Sequence, residues 1–116
     1  MYIEAKKGTI VWVDFGDNPV GEQAGVRPAV VVGVNIMNQK SSTLTVCPLT
    51  SRPKRLDLPE HIEVNYTTQK HTKRYSVILC EQIKTISKKR VISYGGYIES
   101  ADILRVNEGI RQLLGL

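Results

Sequence analysis

Gly21-Glu22-Gln23-Ala24-Gly25-Val26-Arg27-Pro28 sets an arginine, a carboxylate and an amide around two glycines, and runs straight into the apolar stretch Ala29-Val30-Val31-Val32. The Arg27 guanidinium is a permanently charged fork that can hold two phosphate oxygens at once. Pro28 lacks an N–H and pushes Arg27 into an extended conformation, so the fork stands on one backbone shape. Gly21 and Gly25 can take positive φ or admit a second backbone closely, which lets the loop fold tightly or bed a ligand. The same residues also suit a surface loop in which Arg27 makes a structural ion pair. Thr50 is the second candidate. Pro48 cannot donate to a central ladder, so a bulge or sheet edge is expected there, re-aiming Leu49 and Thr50. A strand-end threonine bonded to backbone fits Thr50 equally well.

Several short elements must position these groups. Residues 9–15 alternate as a strand, with Ile10 and Trp12 on one face and Val11, Val13 and Phe15 on the other. Asp17-Asn18-Pro19-Val20-Gly21 breaks it. The loop to Arg27 is longer than a hairpin needs, and long loops are often functional. Residues 29–34 form a strand buried on both faces. Asn35 to Ser42 is polar and suits a helical turn. Thr43 to Cys47 is strand-like, Ser51 to Pro59 an exposed basic loop, His61 to Val64 a short strand, and Asn65 to Arg74 a polar, basic connection. Ser76 to Ile86 is one long strand, polar at Glu81 and Gln82, which either face solvent or line a site. Tyr94-Gly95-Gly96-Tyr97 is a turn. Ser100 suits a helix N-cap, and Asp102 falls in the first turn, where the helix dipole favours negative charge. Ile103, Val106, Ile110 and Leu113, joined by Leu104 and Leu114, recur at helical spacing up to the end of the chain. Short strands with one terminal helix imply a mainly β, α+β domain of barrel type.

At 116 residues the chain is expected to be one domain, 1–116, with a real core. Its net charge of +5 is unevenly placed: Arg52 to Arg90 holds ten basic against four acidic residues, while the remainder holds six against seven. Such a region attracts a polyanion in a salt-dependent way, although lysines also simply solvate loops. Two cysteines, Cys47 and Cys80, make no disulfide framework, no signal segment opens the chain, and no apolar run nears the ~20 residues of a membrane helix. A cytoplasmic protein with reduced thiols and no membrane partner is expected.

Other chemistries fit poorly. His61 and His71 have nothing linking them into an acid–base pair. Cys47, Cys80, His61 and His71 lack the close spacings of a metal site, and no glycine-rich phosphate loop occurs, so neither metal nor cofactor is expected. Tyr66, Tyr75, Tyr94 and Tyr97 could stack on bases, or serve as core and cross-strand aromatics.

Glu22-Gln23-Ala24-Gly25-Val26-Arg27-Pro28-Ala29-Val30-Val31 closely resembles the signature of the MazF/PemK toxins of type II toxin–antitoxin modules. The resemblance continues through Gly8 to Phe15, Cys47-Pro48-Leu49-Thr50, and Ser76 to Ile86, in the family's order. It implies an SH3-like small β-barrel of the MazF/CcdB type with short helices and a C-terminal helix, assembled as a homodimer with RNA along the dimer groove. It also implies a metal-independent, sequence-selective endoribonuclease that cuts single-stranded RNA, neutralised by an antitoxin with an acidic C-terminal tail.

By the same resemblance Arg27 and Thr50 are the catalytic pair. Glu22, Gln23, Glu81 and Gln82 are catalytic or RNA-binding candidates, and Arg52, Lys54 and Arg55 of the exposed basic loop are expected to bind the RNA backbone. Two positions depart from the pattern: Leu79 stands where one branch has an active-site arginine, and Gly21 where many relatives have serine. The rival expectations are a CcdB-like toxin that binds DNA gyrase without cutting, and a degenerate homologue that binds RNA only.

Overall fold

The computed structural model describes residues 5–18, 21–52 and 55–116. Pro19 and Val20 of the expected turn, and Pro53 and Lys54 of the expected basic loop, lie outside the described residues. The elements run β1 (Thr9–Asp14), β2 (Val26–Val31), α1 (Asn35–Lys40), β3 (Thr43–Thr50), β4 (His61–Thr68), β5 (Lys73–Leu79), β6 (Lys84–Ser87), β7 (Val91–Tyr97) and α2 (Ser100–Leu114), with 3₁₀ turns at Cys80–Gln82 and Lys88–Arg90. The strands lie in the order β2-β1-β7-β4-β5-β3-β6, and β2 also pairs with β3. That extra pairing closes the sheet into a ring from β2 round to β3, with β6 beside β3, as expected of a small barrel. Every pairing is antiparallel.

The apolar runs are buried on both faces because two clusters sandwich the β1–β3 part of the ring. Ile10, Val30, Cys47 and Leu49 face one cluster, which Val106 of α2 covers; Val11, Val13, Ala29, Val31, Leu44 and Val46 face the other. Side chains alternate along a strand, so a run such as Ala29-Val30-Val31 serves both cores in turn. In α2, Ile103, Val106 and Ile110 pack inward as their spacing predicts, whereas Leu104 and Leu114 are exposed.

Six sequence expectations change. β2 starts at Val26, taking in Arg27 and Pro28. There β2 has β1 as a partner but the β3 ladder has not begun, since it runs from the Ala29–Pro48 pair. Val32 N–H donates to Thr45 O at 2.9 Å. By alternation Pro28 would turn its missing N–H to that same open side, so the ring loses no bond to it. The expected strand Ser76–Ile86 is broken by the 3₁₀ turn at Cys80–Gln82, its two pieces running along one edge of β3. By the same alternation Pro48 faces this break. It is buried within β3 and pairs with Ala29, so it marks a change of partner inside the ring, not an outer edge.

The connection expected over Asn65–Arg74 is mostly strand. β4 and β5 pair from His61–Leu79 to Thr67–Lys73, leaving a short tip where His71 takes φ 64°. The turn expected at 94–97 is the end of β7, irregular in register against β1. Gly96 lies there at φ 124°, so close to β4 that an added Cβ would stand 1.9 Å from Thr67 O. Finally, α2 is N-capped by Glu99, whose carbonyl accepts the Asp102 and Ile103 N–H groups, without a side-chain cap from Ser100. Among the described residues no helix is long and apolar enough to cross a membrane.

Candidate active site

Arg27 and Thr50 lie on strands that pair, in one register. The β2–β3 ladder matches Val31 with Val46, Val30 with Cys47 and Ala29 with Pro48. Continued two residues past the end of the ladder, the same register would set Arg27 opposite Thr50, and residues directly opposite share a face. Both side chains line one recess of about 230 Å³ with Gln23, Ser51 and Arg52. Arg27 is exposed, and its Nε donates to Ala24 O at 3.1 Å, so the fork is steadied from behind while its Nη donors remain for an anion. Thr50 is buried; its Oγ1 accepts the Arg52 N–H at 3.3 Å. The backbone-bonded reading of Thr50 is therefore realised, and it leaves the hydroxyl proton to donate elsewhere.

The loop carrying Glu22 and Gln23 is clasped at its base. Phe15 N–H donates to Gly25 O and Gly25 N–H to Gly16 O, each at 2.9 Å. Gly21 and Gly25 take φ 97° and 74°, left-handed geometry that side chains disfavour. Gln82, on the turn between β5 and β6, braces the loop, its Oε1 accepting the Gln23 N–H at 2.8 Å. Asn18 Nδ2 donates to Gln23 O.

A second recess, about 390 Å³, adjoins the first through Gln23 and is lined by Phe15, Glu22, Pro48, Glu81, Gln82 and Lys84 among others. Glu81 is thus not beside Arg27 and Thr50. Its carboxylate is bonded to the buried ring of His61, the first residue of β4, which pairs with Leu79 of β5. An ionised carboxylate only accepts, so His61 Nε2 carries the proton it donates to Glu81 Oε2. Sequence reasoning did not find this contact. Its one available signal was a carboxylate inside an apolar strand, which needs a partner if it is not in solvent.

The remaining candidates divide. Arg52 lines the first recess and is exposed. Arg55, at φ 36°, forms a bidentate pair with Asp57, at 3.1 and 2.9 Å, and this guanidinium holds the Asp57 carboxyl below its ordinary range. Lys54 lies outside the described residues. His71, past the far end of β4, is far from His61 in the strand. Cys47 and Cys80 are free thiols, both buried; a hydrogen bond with Cys80, burial and nearby negative charge push the Cys47 thiol far above its ordinary range, so it is no nucleophile.

The family described as "PemK-like, MazF-like toxin of type II toxin-antitoxin system" matches residues 6–114. The chain is 32% identical over 111 residues to "Endoribonuclease MazF" of Staphylococcus saprophyticus, covering 96% of this chain and 92% of that protein. It is 33% identical over 116 residues to "Endoribonuclease EndoA" of Bacillus subtilis, covering 96% and 95%. In fold it is similar to the crystal structure of MazF from Deinococcus radiodurans, with a TM-score of 0.81 at 22% identity over 100% of both chains. It is also similar to an endoribonuclease in complex with its cognate antitoxin from Mycobacterial species, with a TM-score of 0.76 at 20% identity over 96% and 95%. With a fold, a signature loop and full-length relatives in agreement, the chain belongs to the PemK-like, MazF-like toxins of type II toxin–antitoxin systems.

Proposed function

We propose that this chain is a metal-independent, sequence-selective endoribonuclease acting on single-stranded RNA, the toxin of a toxin–antitoxin pair. The observation that carries the reading is the placing of Arg27 and Thr50 at one register position in one recess. A fork and a hydroxyl converging there suit a phosphate that gains charge in the transition state. The RNA 2′-hydroxyl attacks the adjacent phosphorus, the new 2′-O–P bond forms, and the P–O5′ bond breaks. The proton of the 2′-hydroxyl is matched by one gained at O5′, giving a 2′,3′-cyclic phosphate and a 5′-hydroxyl without consuming water. Arg27 holds the non-bridging oxygens and stabilises the charge that builds on them. Thr50 donates its hydroxyl proton to the phosphate or orients the 2′-hydroxyl. Arg52, Lys54 and Arg55 hold flanking phosphates.

The endoribonuclease names of the relatives support this reading, as does a structural neighbour solved with its cognate antitoxin. The partner here is an antitoxin whose acidic C-terminal tail, folding as it binds, covers the basic surface. The toxin acts as a homodimer. The test is incubation of a long single-stranded RNA in chelator with the protein and with Arg27→Ala, mapping fragment ends. Cleavage at a short recurring motif with 5′-hydroxyl ends, lost in the variant, is expected. Intact RNA from folded, antitoxin-free protein would overturn catalysis. Salt-sensitive binding would then identify an RNA binder, and gyrase-dependent toxicity a CcdB-like poison.

A further inference from the structure

The recess beside the proposed cleavage site contains two adjacent polar side chains whose hydrogen-bonding directions are already set. Gln82 spends its Oε1 on the Gln23 N–H, which fixes the amide so that its NH₂ group points away from that bond. Glu81 has one carboxylate oxygen held by the buried His61 ring, which orients the other. Both residues lie on the 3₁₀ turn that interrupts the β5–β6 path, and both line a recess walled by Phe15 and Pro48 and bordered by Lys84. Its volume of about 390 Å³ falls in the range of small-molecule sites. An acceptor and a donor on neighbouring residues, an apolar wall and a nearby cation together suit a splayed-out nucleobase with its phosphate.

Resting on the nuclease reading above, the geometry points to Glu81 and Gln82 as the pair that reads one base next to the scissile phosphate. Glu81 accepts from an exocyclic amino group, and Gln82 donates to the adjacent ring nitrogen. Adenine and cytosine present that edge. An exocyclic amino group projects beyond the ring and is reached by a single oxygen, and carboxylates accept from the cytosine amino group in the same way in other nucleic-acid complexes. Uracil offers its N–H only between two carbonyl oxygens, which would repel the carboxylate. Guanine is best bound by a carboxylate that turns both oxygens to its two N–H groups, and one oxygen is committed to His61. His61 is then a positioning residue: buried behind Glu81, it fixes which oxygen faces the base. Glu22 borders the recess from the loop and is exposed.

The test begins by mapping cleavage sites of the wild-type protein across a long single-stranded RNA. One position near the cut should be restricted to adenine or cytosine. A short RNA bearing that motif is then compared with a copy in which this amino group is replaced by a carbonyl, inosine for adenosine or uridine for cytidine. The replacement should slow wild-type cleavage about ten- to a hundredfold, and Glu81→Gln, which can offer either an oxygen or an NH₂, should reduce that ratio to near one. A uniform slowing by Glu81→Gln with the ratio intact, or a motif without such a position, would overturn the assignment. If the wild-type protein cuts no RNA, binding of A, C, G and U homo-oligonucleotides replaces cleavage as the readout. Preference for A or C, abolished by Glu81→Gln, supports base reading without catalysis, and equal binding refutes it.

Discussion

Arg27 of β2 and Thr50 of β3 line one recess, each two residues beyond the last laddered pair of these strands, Ala29–Pro48. They stand just past the end of the β2–β3 ladder, while Arg27 still pairs with Val13 of β1 and Thr50 with Val77 of β5. Strands hold side chains more precisely than loops do, so the proposed phosphate-binding pair inherits the register of the barrel.

That placement makes the fork, and not only its charge, the expected source of rate. Arg27→Ala should lower single-turnover RNA cleavage about 10²- to 10³-fold. Arg27→Lys should recover only part of it, because an ammonium cannot engage two oxygens in parallel. Arg27 is exposed, so the circular dichroism spectrum and Tm of both variants should match wild type. A lysine variant with full activity would remove the bidentate role.

On the proposed nuclease reading Asp57 would compete with RNA for Arg55, since the two form a bidentate pair in the open. Asp57→Asn should release the guanidinium, tighten single-stranded RNA binding and steepen the dependence of log K on log salt by about 0.7, the value for one added phosphate contact on a single strand. Fluorescence anisotropy at four salt concentrations would measure both. An unchanged slope would show that Arg55 does not reach the RNA.

Gly96 is fixed by contact as well as by conformation. A Cβ there meets Thr67 O at 1.9 Å with φ at 124°, so Gly96→Ala must move β7 away from β4. That pairing is short, Thr67–Tyr97 and Thr68–Gly96, and it helps close the ring. A loss of about 3 kcal/mol or more is expected, with a fall in Tm of more than about 10 °C by calorimetry.

Cys47 supplies a pH dependence. Its thiol is held protonated in the folded chain, so its folded pKa exceeds the ordinary value of about 8.5. Above that value the unfolded chain releases a proton that the folded chain keeps. The group's stabilising contribution is therefore full below about pH 8.5 and declines as pH rises further. Urea midpoints should fall from pH 8 to pH 10, and Cys47→Ser should flatten that fall. Native Cys47 and Cys80 should resist iodoacetamide at pH 8 and react once the chain is unfolded, as read by mass.

Much of the fold follows from local pattern. The β-branched run after Pro28 signals burial on both faces, and Ala29, Val30 and Val31 do alternate between two cores. The helical spacing of Ile103, Val106 and Ile110 gives α2. Arg27, Thr50, Gln23 and Arg52 stand out by residue type and resemblance, and the fold brings them to one recess. What local pattern does not contain is the pairing of β2 with β3. It sets Arg27 against Thr50, and it depends on partners far apart in the chain. The break at Cys80–Gln82 is hidden for a related reason: its residues suit a strand, and it is β3, with Pro48 facing that edge, that leaves the ladder open there. His61 and Glu81 are likewise joined by the β4–β5 register, which no spacing within either segment reveals.

The clasp between Phe15, Gly16 and Gly25 also bears on how such a protein can change over time. Because the two backbone bonds close the loop at its base, residues between Gly16 and Gly25 can be exchanged, added or removed without shifting the β1–β2 register. One side of both recesses is therefore open to rapid divergence while the Arg27–Thr50 pair stays in place. Loops transplanted between relatives at these two glycines would change that side of the recesses and leave the wall formed by Glu81 and Gln82 as it is.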